Sequence, residues 1–197
     1  MRKGEKTKQQ IIMLATDVFN QKGYIGTSLT DIMNATGLKK GGIYNHFENK
    51  EELAIASFDY AIEVLTHTYA KAIEGKKSAI DQLIALISIY ENIIDNPPIK
   101  GGCPILNTAV ESDDTNPVLR ERAQEAMQKW LKLIQLTIRK GIRKNEIQPT
   151  VDIESFSAFL TSTIEGAVML SKLYQTNSYM KQAIKHLTES IENLRVH

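Results

Sequence analysis

At 197 residues, with 42% hydrophobic and 24% charged side chains, the chain can bury a sizeable core and is too apolar for intrinsic disorder. Its longest unbroken apolar runs, such as Leu83 to Ile87, fall far short of the roughly 20 residues a membrane span needs, and Met1 to Gln10 is too polar for a secretion signal, so a cytoplasmic chain without membrane partners is expected. The net charge of +1 conceals a split: residues 1–50 hold eight Lys/Arg against four acids, which suits a small polyanion-binding head on a neutral-to-acidic body.

In chain order the pattern is helical throughout, with apolar residues at spacings of three and four and few alternating β-branched runs. A first helix is predicted from about Thr7 to Lys22, with Ile11, Ala15, Val18 and Phe19 on one face and a stop at Gly23. Ser28-Leu29-Thr30-Asp31 is a capping box opening a short helix that ends at Gly37. A third helix is expected from Lys39 to about His46. Asn49 with Glu52 then caps a long helix to about Glu74, and Ser78 with Asp81 caps one that ends before Pro97-Pro98. Gly101-Gly102-Cys103-Pro104 leads into a short central helix. Asn116-Pro117 reads as N-cap and first position of a helix to about Arg143, and two further helices, about Asp152 to Gln175 and Ser178 to Arg195, complete an all-α chain of about nine helices.

The stretch "GLKKGGIYNHFENKEEL", Gly37 to Leu53, concentrates the chemistry. Two short helices joined by a turn, the second opening on lysines, form a helix-turn-helix arrangement whose second helix would enter the major groove. Gly41 and Gly42 cost about 1 kcal/mol each relative to alanine in a helix, so stability alone does not explain them; they would let the helix approach DNA without side-chain collision. Tyr44 and His46 can donate to phosphate oxygens, and Lys39, Lys40 and Lys50 can neutralise phosphates, while the capped start of the Ser28 helix offers free amides to another. His67 and His186 lie too far from a second ligand for a metal site, and no nucleophile triad, carboxylate pair or P-loop is legible, so no enzyme, metal or cofactor is expected.

These residues carry a family resemblance. "ATDVFNQKGYIGTSLTDIMNATGLKKGGIYNHFENKEEL" resembles the DNA-binding head of the TetR family of bacterial transcriptional regulators: Phe-x-x-x-Gly-Tyr, the Thr-Ser pair, the Gly-hydrophobic turn, Tyr-x-His-Phe and Lys-Glu-x-Leu stand in family order. Met33 replaces the usual small alanine, and Lys39 stands where serine is common. The resemblance implies a head over residues 1–48 and a ligand-binding and dimerisation body over 49–197. Carried over to this chain, it gives Thr27, Ser28, Lys39, Lys40, Gly41, Tyr44, His46 and Lys50 as DNA contacts. It implies a homodimer on a pseudo-palindromic operator, repressing transcription until a small-molecule inducer releases it. His67, Tyr90, Cys103, Asn107, Trp130, Phe159, Glu165 and Met169 are then the candidate inducer contacts, and Phe156, Ala167, Val168, Leu187 and Ile191 the candidate dimer contacts. "GGCPILNTAVES" further resembles a subset of the family in which Gly-Cys-Pro and a following Asn open the central helix. The lone Cys103, at a helix start, is either a reactive sensor or a gap-filling thiol. The alternative to the whole reading is a helical small-molecule-binding protein or enzyme without a DNA role.

Overall fold

The structure is a computed structural model that describes residues 3–196. Among the described residues it holds nine α-helices: α1 Lys3–Lys22, α2 Leu29–Thr36, α3 Lys40–Tyr44, α4 Lys50–Ile73, α5 Ala79–Ser88, α6 Pro104–Ser112, α7 Pro117–Arg143, α8 Ile153–Tyr174 and α9 Ser178–Glu192. The expected all-α class is therefore what the chain adopts. Most helix starts carry the local hydrogen bond their cap residue promises. Asn49 Oδ1 accepts from Glu52 N at 2.8 Å, Ser78 Oγ from Asp81 N at 3.0 Å and Asn116 Oδ1 from Leu119 N at 3.0 Å.

Four boundaries differ from the sequence reading by two residues or more, one being the end of α9 at Glu192 rather than Arg195. α1 begins at Lys3 rather than Thr7, with Glu5 in its first turn, where a carboxylate complements the helix dipole. α3 stops at Tyr44, short of His46. α5 ends at Ser88 and does not run on to Pro97. Beyond it the backbone tightens into i→i−3 bonds, Tyr90 N to Ile87 O at 3.2 Å and Ile93 N to Tyr90 O at 3.0 Å, and Asn177 Oδ1 takes the Ile94 amide at 2.9 Å. A distant side chain thus satisfies a donor that a longer helix would have used.

The chain divides into two compact units. The first runs through Leu65 and also takes in Ile99–Gln124; the second comprises Thr66–Pro98 and the chain from Glu125 onward. In the first unit Ile11 and Ala15 of α1, Ile32 of α2, Ile43 of α3, Phe47 of the turn after α3 and Leu53 of α4 form one buried cluster. Met33, the bulky departure from the family pattern, packs partly buried on its edge. Gly37 caps α2 in the left-handed region at φ 69°, which turns the chain towards α3.

In the second unit α8 and α9 pack together and α9 also packs on α5. Ile80, Leu83 and Ile87 of α5, Leu160 and Val168 of α8, and Met180, Leu187 and Ile191 of α9 are buried there. Gly141 of α7 lies so close to its neighbours that an added Cβ would sit 2.6 Å from Ile147 Cδ1 and 2.7 Å from Ala79 Cβ. The chain leaving α9 pairs back, Ile147 and Arg195 forming an isolated antiparallel bridge.

Candidate nucleic-acid interface

The second short helix of the head is a five-residue turn held from beneath. Ile43 is buried in the α1–α2–α4 cluster and Phe47 follows it into the same core. With these two anchored, Lys39, Lys40, Gly41 and Tyr44 fall on the outer side, all exposed, with Asn45 beside them. An added Cβ at Gly41 would meet nothing within 4 Å, whereas one at Gly42 would lie 3.5 Å from Leu38. Gly41 is therefore the residue that flattens the outer face, whereas a Cβ at Gly42 would make only an ordinary contact with Leu38. Lys40 Nζ lies 5.7 Å from the Tyr44 ring centre, an attraction that gathers charge and hydroxyl on one small surface. His46 is half-buried below that surface.

The turn between the two helices is internally satisfied. Thr36 Oγ1 donates to Ile32 O at 2.7 Å and accepts from Leu38 N at 3.3 Å. At the start of α2, Ser28 Oγ accepts from Asp31 N at 3.1 Å while Asp31 Oδ2 accepts from Ser28 N at 2.8 Å. Lys22 Nζ reaches the other carboxylate oxygen at 2.5 Å. The Lys22 ammonium, followed by the Ser28 donors, holds the Asp31 carboxyl well below the usual carboxylate range. This Lys22–Asp31 pair was not read from the sequence. Its only signal is charge complementarity across the Gly23 turn.

Two residues expected at the DNA surface are placed elsewhere. Thr27 is 1% exposed and spends its hydroxyl on Gly23 O at 2.6 Å. Lys50 turns inward: its ammonium donates to Tyr24 O at 2.7 Å and Thr27 O at 3.0 Å, and lies 4.4 Å from the Tyr24 ring centre. Both belong to the support of the α1–α2 turn. Ser28 remains at the surface but is committed to its cap. Lys8 does the equivalent service for α4, 3.4 Å from Glu52 and over the Phe47 ring. The amide of Glu48, first, and then Lys8 hold the Glu52 carboxyl below its ordinary value.

The expected inducer contacts do not form one set. In the second unit Tyr90 and Trp130 do meet, at 6.4 Å between ring centres, joined by Tyr69, whose ring lies tilted 4.8 Å from Trp130 and which shares a 2.5 Å hydroxyl contact with Tyr90. Trp130 Nε1 donates to Thr161 Oγ1 at 3.1 Å. Tyr69 and Thr161 complete a buried polar-aromatic cluster that spacing alone did not reveal. His67 is exposed, Phe159 and Met169 are 47% and 54% exposed, and Glu165 is half-buried. Cys103 and Asn107 belong to the first unit, where the thiol is buried and the Asn107 amide is directed to the end of α1.

The expected dimer contacts are also redistributed. Ala167, Val168, Leu187 and Ile191 are buried within the second unit, where α8 and α9 pack together. The apolar side chains of α8 left at the surface are Phe159, Met169, Leu173 and Tyr174, with Phe156 packed edge-on to Phe159 at 6.0 Å. Gly166 lies among them, and its Cβ position is open.

Among the described residues no helix is long and apolar enough to cross a membrane, and no three His, Cys, Asp or Glu side chains gather as metal ligands. Residues 11–56 match the family described as bacterial regulatory proteins, tetR family, and residues 79–187 match the tetracyclin repressor-like C-terminal domain. A TetR transcriptional regulator from Chloroflexus aurantiacus J-10-FL superposes at a TM-score of 0.96 with 44% identity over the whole of both chains. The HTH-type transcriptional repressor DhaR of Mycobacterium sp. (strain GP1) is 25% identical over 93% of this chain and 91% of its own. The same fold, at TM-score 0.81 and 18% identity over 92% of this chain and 95% of the other, occurs in a cysteine mutant of the TetR family regulator CifR complexed with 26-bp double-strand operator DNA. With helix-turn-helix head and C-terminal body both matched, the chain belongs to the TetR family of transcriptional regulators.

Proposed function

We propose that the chain is a repressor that binds a pseudo-palindromic operator as a homodimer and leaves it when a small-molecule inducer occupies the body. The observation that carries this reading is the outer face of α3: Lys39, Lys40, Gly41 and Tyr44 project from a turn whose Ile43 is locked in the core. That is the geometry of a rigid element with a positive, sterically flat surface, which a major groove accepts. The repressor name of DhaR and the operator complex of CifR support it by relationship. Residues 1–48 act as the DNA-binding domain and 49–197 as the ligand-binding and dimerisation domain, working in the cytoplasm and without catalysis.

The dimer forms through α8, whose exposed Phe159, Met169, Leu173 and Tyr174 flank the open Gly166; a small residue between large apolar ones favours close helix approach. A dimer of such heads reads half-sites about 34–36 Å apart, so any inducer that binds better to a conformation with another spacing lowers operator affinity. The buried Tyr69, Tyr90, Trp130 and Thr161 cluster is the part of the body that supports an aromatic or hydroxylated inducer.

The test is selection of duplexes from a random-sequence pool by the purified chain, followed by anisotropy titration at several salt concentrations. Wild type should enrich an inverted repeat, and the Lys39→Ala, Lys40→Ala double mutant should lose affinity, with its salt slope shallower by about two phosphate contacts. Enrichment of no duplex, or unchanged binding by the double mutant, would overturn the assignment.

A further inference from the structure

The turn that joins α1 to α2 is held by a helix from the middle of the chain. Gly23 sits at φ 76°, and the two amides after it point the same way, forming a small backbone concavity suited to an anion. Glu111 of α6 fills it: Oε2 accepts from Tyr24 N at 2.7 Å and Oε1 from Ile25 N at 2.8 Å. The fit leaves no slack, since a Cβ on Gly23 would lie 2.6 Å from Glu111 Oε1.

One helical turn earlier on α6, Asn107 Nδ2 lies 3.0 Å from Asn20 O, Asn20 Oδ1 and Gly101 O. Asn20 answers by donating to Lys100 O at 2.8 Å and Gly102 O at 3.0 Å. Gly101, at φ 100°, approaches so closely that a Cβ there would be 2.6 Å from Asn20 O. Residues 107 and 111, spaced four apart, share one face of α6 and present both a donor and an acceptor to the end of α1.

We propose that Glu111 and Asn107 are positioning residues for operator binding. They do not touch DNA. They fix the exit of α1, hence the start of α2 and the outward face of α3, and so hold the head in its binding-competent form. The inference rests on the DNA-binding reading above. It gives the "GGCPILNTAVE" segment a role in DNA affinity that neither the helix-turn-helix nor the body assigns to it.

The decisive substitution is Glu111→Gln, which keeps the size but turns an NH2 group towards one of the two amides. Bulk electrostatics alone predicts tighter DNA binding, because an acid is removed. Positioning predicts the opposite: if the competent fraction of heads falls to about a tenth, apparent affinity for the selected duplex falls about ten-fold. The salt slope stays that of wild type, because the phosphate contacts themselves are intact. Asn107→Asp should act in the same direction by placing a carboxylate among three oxygens, whereas Val110→Ala, on the exposed side of α6, should bind as wild type.

Amide exchange supplies a second readout. In wild type the Tyr24 and Ile25 amides should be protected, and in Glu111→Gln they should exchange faster while the α4 core amides keep their protection. Wild-type affinity in a folded Glu111→Gln chain, or a shallower salt slope, overturns the inference. So do unprotected Tyr24 and Ile25 amides in wild type, a result that stands even where a variant does not fold. Failure of the wild type to enrich any duplex counts instead against the DNA-binding reading.

Discussion

Lys50 separates two roles that a helix-turn-helix lysine can play. Its ammonium reaches back 26 and 23 residues to the carbonyls of Tyr24 and Thr27 and lies over the Tyr24 ring. Lys50→Met keeps the apolar stem and removes only the charged donor. Each charge-assisted hydrogen bond is worth about 1.5–3 kcal/mol, and the cation–π contact adds about 0.5–1 kcal/mol at a site open to solvent. Because the site is only partly buried, water replaces some of the loss, and a net cost of about 2 kcal/mol is expected. For a chain of this length that corresponds to a fall in Tm of roughly 4–8 °C. Differential scanning calorimetry supplies this figure, and a salt titration of duplex binding supplies the other half of the test. If Lys50 is the support of the turn, Tm falls and the salt slope is unchanged. An unchanged Tm together with a slope shallower by about one contact would refute the reasoning and return Lys50 to the phosphate surface.

Other consequences can be checked directly. The Asp31 carboxyl, held low first by Lys22 and then by Ser28, contributes stability above the ordinary carboxylate value near 4 and loses it as pH falls through its depressed value. The urea midpoint of wild type should therefore exceed that of Asp31→Asn by a constant margin from pH 8 to about pH 5, a margin that narrows progressively as pH falls below about 4. A charge at Leu173, which is 69% exposed, should leave the unfolding midpoint of the isolated subunit nearly unchanged; Leu173→Glu at micromolar concentration should sediment as a monomer where wild type sediments as a dimer. Cys103, 2% exposed, should resist iodoacetamide in the native chain and react at the unfolding rate; stoichiometric labelling of folded protein at neutral pH would restore it as a sensor.

What the sequence made legible was what depends on neighbours within four positions. The Ser28–Asp31, Asn49–Glu52, Ser78–Asp81 and Asn116–Leu119 caps form as expected, because each is a local bond whose partners the sequence places side by side. Ile11 and Ala15 of α1 were legible as core by their spacing. What was not legible depends on partners far along the chain. The turn that follows α5 is capped by Asn177, 83 residues from the Ile94 amide it takes. Val168 and Met169 are adjacent and both apolar, yet one is fully buried and the other 54% exposed, because α8 is apolar on several faces and periodicity cannot say which face another helix covers. Lys50 was read by its charge; only the position of Tyr24 reveals its inward orientation.

The first unit is discontinuous in sequence, with 33 residues, 66–98, interposed between its two parts. During vectorial synthesis the α1–α4 cluster can assemble once Leu53 is available, but Gly101, Asn107 and Glu111 are added only after the interposed segment. Closing a loop of that size costs about 3 kcal/mol of chain entropy by the logarithmic law, enough to keep the second step distinct from the first. A nascent chain therefore acquires a helix-turn-helix before it acquires the contacts that anchor it. The same order governs any chimera: a head transplanted at residue 48 or 65 leaves its α6 counterpart behind, and must be moved together with residues 99–124 to arrive with its original neighbours.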